Sequence, residues 1–154
     1  MRLPNGAVTA ETVLDSSANT ETRMDLNDVT MVQGAIHNPD EPRHFMTITP
    51  ANRVRSASID GTEVARSDRA VVVKEIGRSI YDPVVYFPRA DVTMDRFEVS
   101  ERSTHCPLKG DTEYFDFIGD QERIPDAAWS YVRMALGDEL KQLIAFDPAR
   151  IEVT

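Results

Sequence analysis

Seven consecutive residues, Thr104-His105-Cys106-Pro107-Leu108-Lys109-Gly110, bring together an imidazole, a thiol, an amine and a glycine. A thiol becomes a nucleophile only as the thiolate, and Lys109 or His105 is a cation that can stabilise one. The competing reading of Cys106 is a small buried hydrophobe. Adjacent residues on a strand point to opposite faces, so a direct His105–Cys106 dyad requires a turn, which Pro107 permits. His105 is open to three roles: a structural histidine, a general acid or base, and a ligand donor. Lys109 beside Gly110 offers an anion seat, because glycine lets a backbone approach a ligand closely.

Two further runs carry polar and aromatic groups. In Tyr86-Phe87-Pro88-Arg89-Ala90-Asp91-Val92, Arg89 and Asp91 fall at i and i+2 and share a face if the chain is extended. They read as a surface ion pair or as an arginine clamp for a carboxylate or phosphate, oriented by the acid. In Ala127-Ala128-Trp129-Ser130-Tyr131, Trp129 and Tyr131 also share a strand face. They read as core packing or as a stacking wall for a flat ligand, to which Tyr86 adds. The expected catalytic candidates are therefore His105, Cys106 and Asp91. The expected ligand-binding residues are Tyr86, Arg89, Lys109, Trp129 and Tyr131. His37, His44 and His105 show no ligand-type spacing, so neither a metal nor a cofactor is expected.

These runs must be positioned by short strands. Phe45 to Thr49 is β-prone and ends at Pro50. Val54 to Ile59 and Thr62 to Ala65 flank Asp60-Gly61, a pair that a type I′ hairpin turn favours. Ala70 to Glu75 and Val84 to Phe87 read as further strands, and Asp91 to Glu98 fits neither period. Glu113 to Ile118, Ala127 to Tyr131 and Ile151 to Val153 complete about eight strands. Leu140, Leu143 and Ile144 at i, i+3 and i+4 predict a helix over 138–146, with Asp138 as N-cap and Pro148 as its stop. The fold class is mainly β, or α+β at most, in a barrel-like or sandwich-like assembly with one helix near the C-terminus.

Residues 1–44 have few large apolar side chains and no sustained period, and read as an N-terminal extension to a single β-rich domain over 45–154. A short helix or strand over Asp25 to Gln33 is the one element expected there. The 154 residues suffice for a core without disulfide or metal. With 17 basic and 26 acidic side chains the net charge is −9, which argues against nucleic acid and anionic membranes as partners. A single cysteine rules out an intramolecular disulfide and fits a reducing compartment. No run is long and apolar enough to span a bilayer, and the N-terminus does not look like a secretory signal, so a cytoplasmic location is expected.

The same residues resemble a known family, the bacterial and fungal domain of unknown function 427. The likeness rests on Val85 to Arg89 with Asp91, Val92 and Met94, on Thr104 to Gly110, on Asp126 to Tyr131, and on Ala145-Phe146. It covers roughly residues 45–154. It implies a small β-rich domain akin to the β-tent (Mss4-like) group, whose relatives often hold zinc on paired CxxC motifs that this chain lacks. Leu108 stands where the family more usually has tyrosine. The family also carries a nucleotidyltransferase-like label, but the glycine-serine motif that label implies is absent here.

The leading functional expectation is a small-molecule-binding or catalytic domain whose polar-aromatic pocket takes an anionic, flat ligand. The alternative is a non-enzymatic module in which the same residues form a buried polar network and the extension joins a partner or a second copy as a homodimer. A thiol-redox role for Cys106 is third.

Overall fold

The computed structural model describes residues 29–154, and the compact unit within them is Val32–Thr154. Among the described residues twelve strands make three antiparallel sheets. The first contains β1 (Ile36–Asn38), β2 (Glu41–Pro50), β5 (Val71–Ile76) and β6 (Val84–Tyr86), in the order β1-β2-β5-β6. The second contains β7 (Phe97–Val99), β8 (His105–Cys106), β9 (Gly110–Ile118), β10 (Arg123–Met134) and β11 (Ile144–Phe146). Its order is β11-β10-β9-β7, with β8 also on β9. The third is the hairpin of β3 (Arg55–Ile59) and β4 (Thr62–Ser67), edged by β12 (Glu152–Val153). The sheets do not close into a barrel. Among the described residues no helix is long and apolar enough to cross a membrane.

The alternation of side chains explains why there are two cores. Tyr86 and Phe87 are adjacent and both buried, yet Tyr86 joins a smaller cluster with Met46, Val73, Leu108, Tyr131, Leu140 and Ala145. Phe87 joins a larger one with Phe97, Phe115, Phe117, Ile144 and Phe146. Ala145 and its neighbours on β11 divide in the same way. The second sheet thus gives one face to each core. Phe87 and Ile144 exchange two backbone hydrogen bonds of 2.8 Å, which staple the first sheet to the second.

The Asp60-Gly61 turn has the expected left-handed backbone, with φ of 48° and 82°. The β9–β10 pair is longer than the sequence suggested. Pro125 has no N–H to give a ladder, and it lies where the register shifts between Ile124 and Ala128. Past that bulge the strand runs on to Met134.

Several expectations need correction. Residues 138–143 form turns rather than a helix, and 144–146 form β11. Gln142 adopts φ 61°, which breaks any helix, and its N–H goes to the Tyr131 carbonyl at 2.9 Å. Leu140 and Ile144 are buried, but in different cores, so their spacing reported burial and not helical period. The described residues hold twelve strands rather than about eight, because two- and three-residue strands such as β1, β7, β8 and β11 fall below what periodicity can detect. The ordered sheet reaches back to Ile36, into the segment read as extension, where β1 pairs with β2. Of the Asp25-to-Gln33 expectation, residues 25–28 lie outside the described residues, 29–32 form neither helix nor strand, and Gln33-Gly34 is a turn.

Candidate functional site

The first and second sheets meet at a polar-aromatic cluster. Trp129 and Tyr131 stand two apart on β10 and both face a cleft of about 290 Å³. Tyr86, at the end of β6, lies beneath them and is 1% exposed. Its hydroxyl accepts a hydrogen bond from Trp129 Nε1 at 3.3 Å, and its ring centroid lies 6.5 Å from that of Tyr131. Tyr114, across from Trp129 on β9, forms another wall with ring centroids 6.3 Å apart. Burial pushes the phenols of Tyr86 and Tyr131 well above the ordinary tyrosine value, so both are neutral donors at neutral pH.

Lys109 enters this cluster from the turn between β8 and β9. Gly110 makes that approach possible. Its φ is +118°, and a Cβ there would lie 1.9 Å from the Arg133 carbonyl oxygen. The Lys109 ammonium lies 5.6 Å from the Tyr131 ring centroid and donates to Glu75 Oε2. Glu75 Oε1 accepts from His44 Nε2 at 2.8 Å. Burial pushes the Glu75 carboxyl up, but the hydrogen bonds from Lys109 and His44 outweigh it and hold the pKa below the ordinary carboxylate value. Burial works against the Lys109 ammonium too, yet the Glu75 carboxylate holds its pKa above the usual lysine value.

Of the eight residues proposed from sequence, Tyr86, Lys109, Trp129 and Tyr131 line this cleft. Cys106 is half-buried and packs against the same smaller core. His105, its neighbour on β8, points the other way as strand alternation requires. Its side chain is 66% exposed, and its Nδ1 lies 2.6 Å from Asp111 Oδ1. Arg89 and Asp91 stand outside the cleft. They lie in a 3-10 turn (Arg89–Asp91), not in extended chain. Arg89 stacks its guanidinium 5.4 Å from the centre of the Phe115 ring. Asp91 accepts from Ser67 Oγ at 2.6 Å and from Arg69 at 3.1 Å, which tie that turn to β4 and the loop after it. The Ser67 hydroxyl, with Arg69 adding to it, holds the Asp91 carboxyl below its ordinary value. Leu108 is fully buried in the smaller core.

Sequence reasoning passed over Arg102, Tyr114, Glu75 and His44. Arg102 stacks 4.5 Å over Tyr114 at the mouth of the cleft and reaches Asp126 at 3.6 Å. The Glu75 signal was present in the sequence. Val71, Val73 and Glu75 alternate, so period two places a carboxylate on the buried face of β5. His44 likewise shares parity with Met46, which is fully buried.

His37 has a structural role. Its Nδ1 donates to the Pro42 carbonyl at 2.7 Å, and its Nε2 accepts from the Val32 N–H at 2.9 Å.

A cleft of this kind can stack a planar group against Trp129 and Tyr114. It presents hydrogen-bond donors from Arg102 and Lys109, with Asp126 and Asp147 as acceptors. Comparison with curated proteins gives no match. A family model described as a domain of unknown function, DUF427, matches residues 47–154. That span holds every residue of the cleft and most of the described sheets, and the chain belongs to the DUF427 family.

Proposed function

We propose that the chain is a small-molecule-binding domain whose cleft takes a flat ligand bearing an anionic group. The observation that carries this reading is the convergence of Tyr86, Trp129 and Tyr131 on Lys109, a lysine whose side chain is only 12% exposed. An ammonium has three donors, and Glu75 occupies one. Among the described residues no acceptor takes the other two, which suit a ligand oxygen, and Arg102 supplies a second cation at the rim. Trp129 and Tyr114 supply the stacking surface. In this reading Arg102 takes the part that the sequence suggested for Arg89. His105 and Cys106 do not line the cleft, so the reading is one of binding, with no catalytic step assigned.

A thermal-shift screen against nucleotides, nucleobases, sugar phosphates and aromatic carboxylates tests it. Ligand at 100 times its dissociation constant stabilises by about 2.7 kcal/mol. A shift that appears with the wild type and shrinks in Arg102→Ala supports the cleft. A panel with no shift counts against it.

The second reading is a non-enzymatic module. The observation favouring it is that His44, Glu75 and Lys109 satisfy one another internally, as a bracing network would. Under that reading these three residues, rather than the exposed His105, carry the stability. We also infer kinship to the β-tent (Mss4-like) group. Three antiparallel sheets are consistent with it, and superposition on solved members of that group is the test.

A further inference from the structure

Glu75, the partner of Lys109, presents a second chemical possibility. His44 on β2, Glu75 on β5 and Cys106 on β8 each offer one donor atom, and these atoms all lie within 4.8 Å of one another. The residues are 31 positions apart in each step (44, 75, 106), so no short ligand motif advertises them. The sheet arrangement brings them together. All three are half-buried. His44 also lines a separate surface pocket of about 720 Å³, together with Pro107, the residue after Cys106, so solvent reaches this side of the cluster.

We propose that His44, Glu75 and Cys106 form a binding site for a borderline divalent transition-metal ion, of which Zn²⁺ is the type. The donor set decides the class. One imidazole nitrogen, one thiolate sulfur and one carboxylate oxygen suit zinc or cobalt, whereas calcium and magnesium want several oxygens. Donors this close together can surround an ion with bonds of roughly 2.0–2.3 Å after small side-chain shifts. Three protein donors leave a fourth position open. Binding requires the His44–Glu75 hydrogen bond to yield and the Cys106 thiol to lose its proton, so metal affinity rises with pH. Lys109 remains on the other carboxylate oxygen and offsets one negative charge, which places this site below a closed structural zinc site in affinity. The inference does not depend on the flat-ligand reading, since that ligand lies on the Trp129 side of the cluster.

The test is titration of the reduced full chain with Co²⁺, followed by Zn²⁺. One Co²⁺ per chain is expected, with a sulfur-to-cobalt charge-transfer band in the near ultraviolet that Zn²⁺ bleaches. Cys106→Ser should abolish that band. His44→Gln should weaken binding by about tenfold or more. His105→Ala, which removes the imidazole next in sequence to Cys106, should leave both unchanged. A wild-type chain that gives no band overturns the proposal, as does a band that persists in Cys106→Ser or is lost in His105→Ala but kept in His44→Gln. A readout that needs no variant is the rate at which a thiol reagent labels Cys106, the only cysteine in the chain. Zn²⁺ should slow that labelling, and an unchanged rate contradicts the site.

Discussion

Lys109 and Glu75 form an ion pair between two side chains that are each only 12% exposed, across 34 positions of sequence. The pair ties the turn before β9 to the middle of the first sheet. His44 and the phenols of Tyr86 and Tyr131 surround it, so it belongs equally to the fold and to the candidate site. Removing one partner leaves an uncompensated buried charge, and that cost decides the first prediction.

Lys109→Met should destabilise the domain by about 3–5 kcal/mol. Each kcal/mol corresponds to roughly 2–4 °C in a domain of this size, so the melting temperature should fall by about 6–20 °C. The double variant Glu75→Gln/Lys109→Met should recover much of the loss, because neither charge is then left alone. A single variant as stable as the wild type would contradict the buried pair.

The pair also sets a pH profile. The groups facing Glu75 are Lys109, His44, Cys106 and Tyr86. The folded pKa of Glu75 lies below the ordinary carboxylate value, so its contribution is present above that value and is lost as pH falls through the depressed one. The folded pKa of Lys109 lies above 10.5, so its contribution is complete below that pH and is lost as pH rises through the elevated value. Urea midpoints should be level between these limits as far as this pair is concerned. Glu75→Gln should flatten the acid limb, and a variant that keeps the wild-type limb would assign acid sensitivity elsewhere.

Gly110→Ala should be more damaging than any surface change. Its Cβ would collide with backbone across the β9–β10 pair, not with a side chain that can move away. The expected outcome is a loss of about 3 kcal/mol or more, or failure to fold, read from circular dichroism and thermal melting. A stable Gly110→Ala protein would mean that β9 and β10 can separate there at small cost.

Ser130→Ala should be neutral or stabilising by up to about 1 kcal/mol. Its hydroxyl is fully buried on β10 and has no hydrogen-bond partner among the described residues. Removing an unsatisfied polar atom from a core relieves its desolvation cost. A loss of more than about 1 kcal/mol on denaturant melting would show that the hydroxyl does have a partner.

Much of the fold was legible because strand period and turn chemistry act locally. The Asp60-Gly61 hairpin and the strands holding Val71–Val73 and Trp129–Tyr131 needed only neighbouring residues. The helix over 138–146 was misread because three apolar residues at helical spacing were buried for two different reasons, Leu140 under one core and Ile144 under the other. The cleft was legible in part. Tyr86, Lys109, Trp129 and Tyr131 stood out by residue type, but Arg102 looks like any surface arginine until the fold sets it over Tyr114. The partnership of His44, Glu75 and Cys106 exists only through sheet pairing, which a single sequence does not display.

The most direct test of the proposed cleft uses its own reporter. Trp129 is the only tryptophan in the chain, and it forms one wall of the cleft. Its emission should be followed while the protein is titrated with nucleotides and aromatic carboxylates, and the same titration repeated with Arg102→Ala and Arg89→Ala. A saturable change is expected with at least one of these ligands, weakened in Arg102→Ala and preserved in Arg89→Ala. Emission that stays flat across the panel, or binding lost in Arg89→Ala and kept in Arg102→Ala, would contradict it.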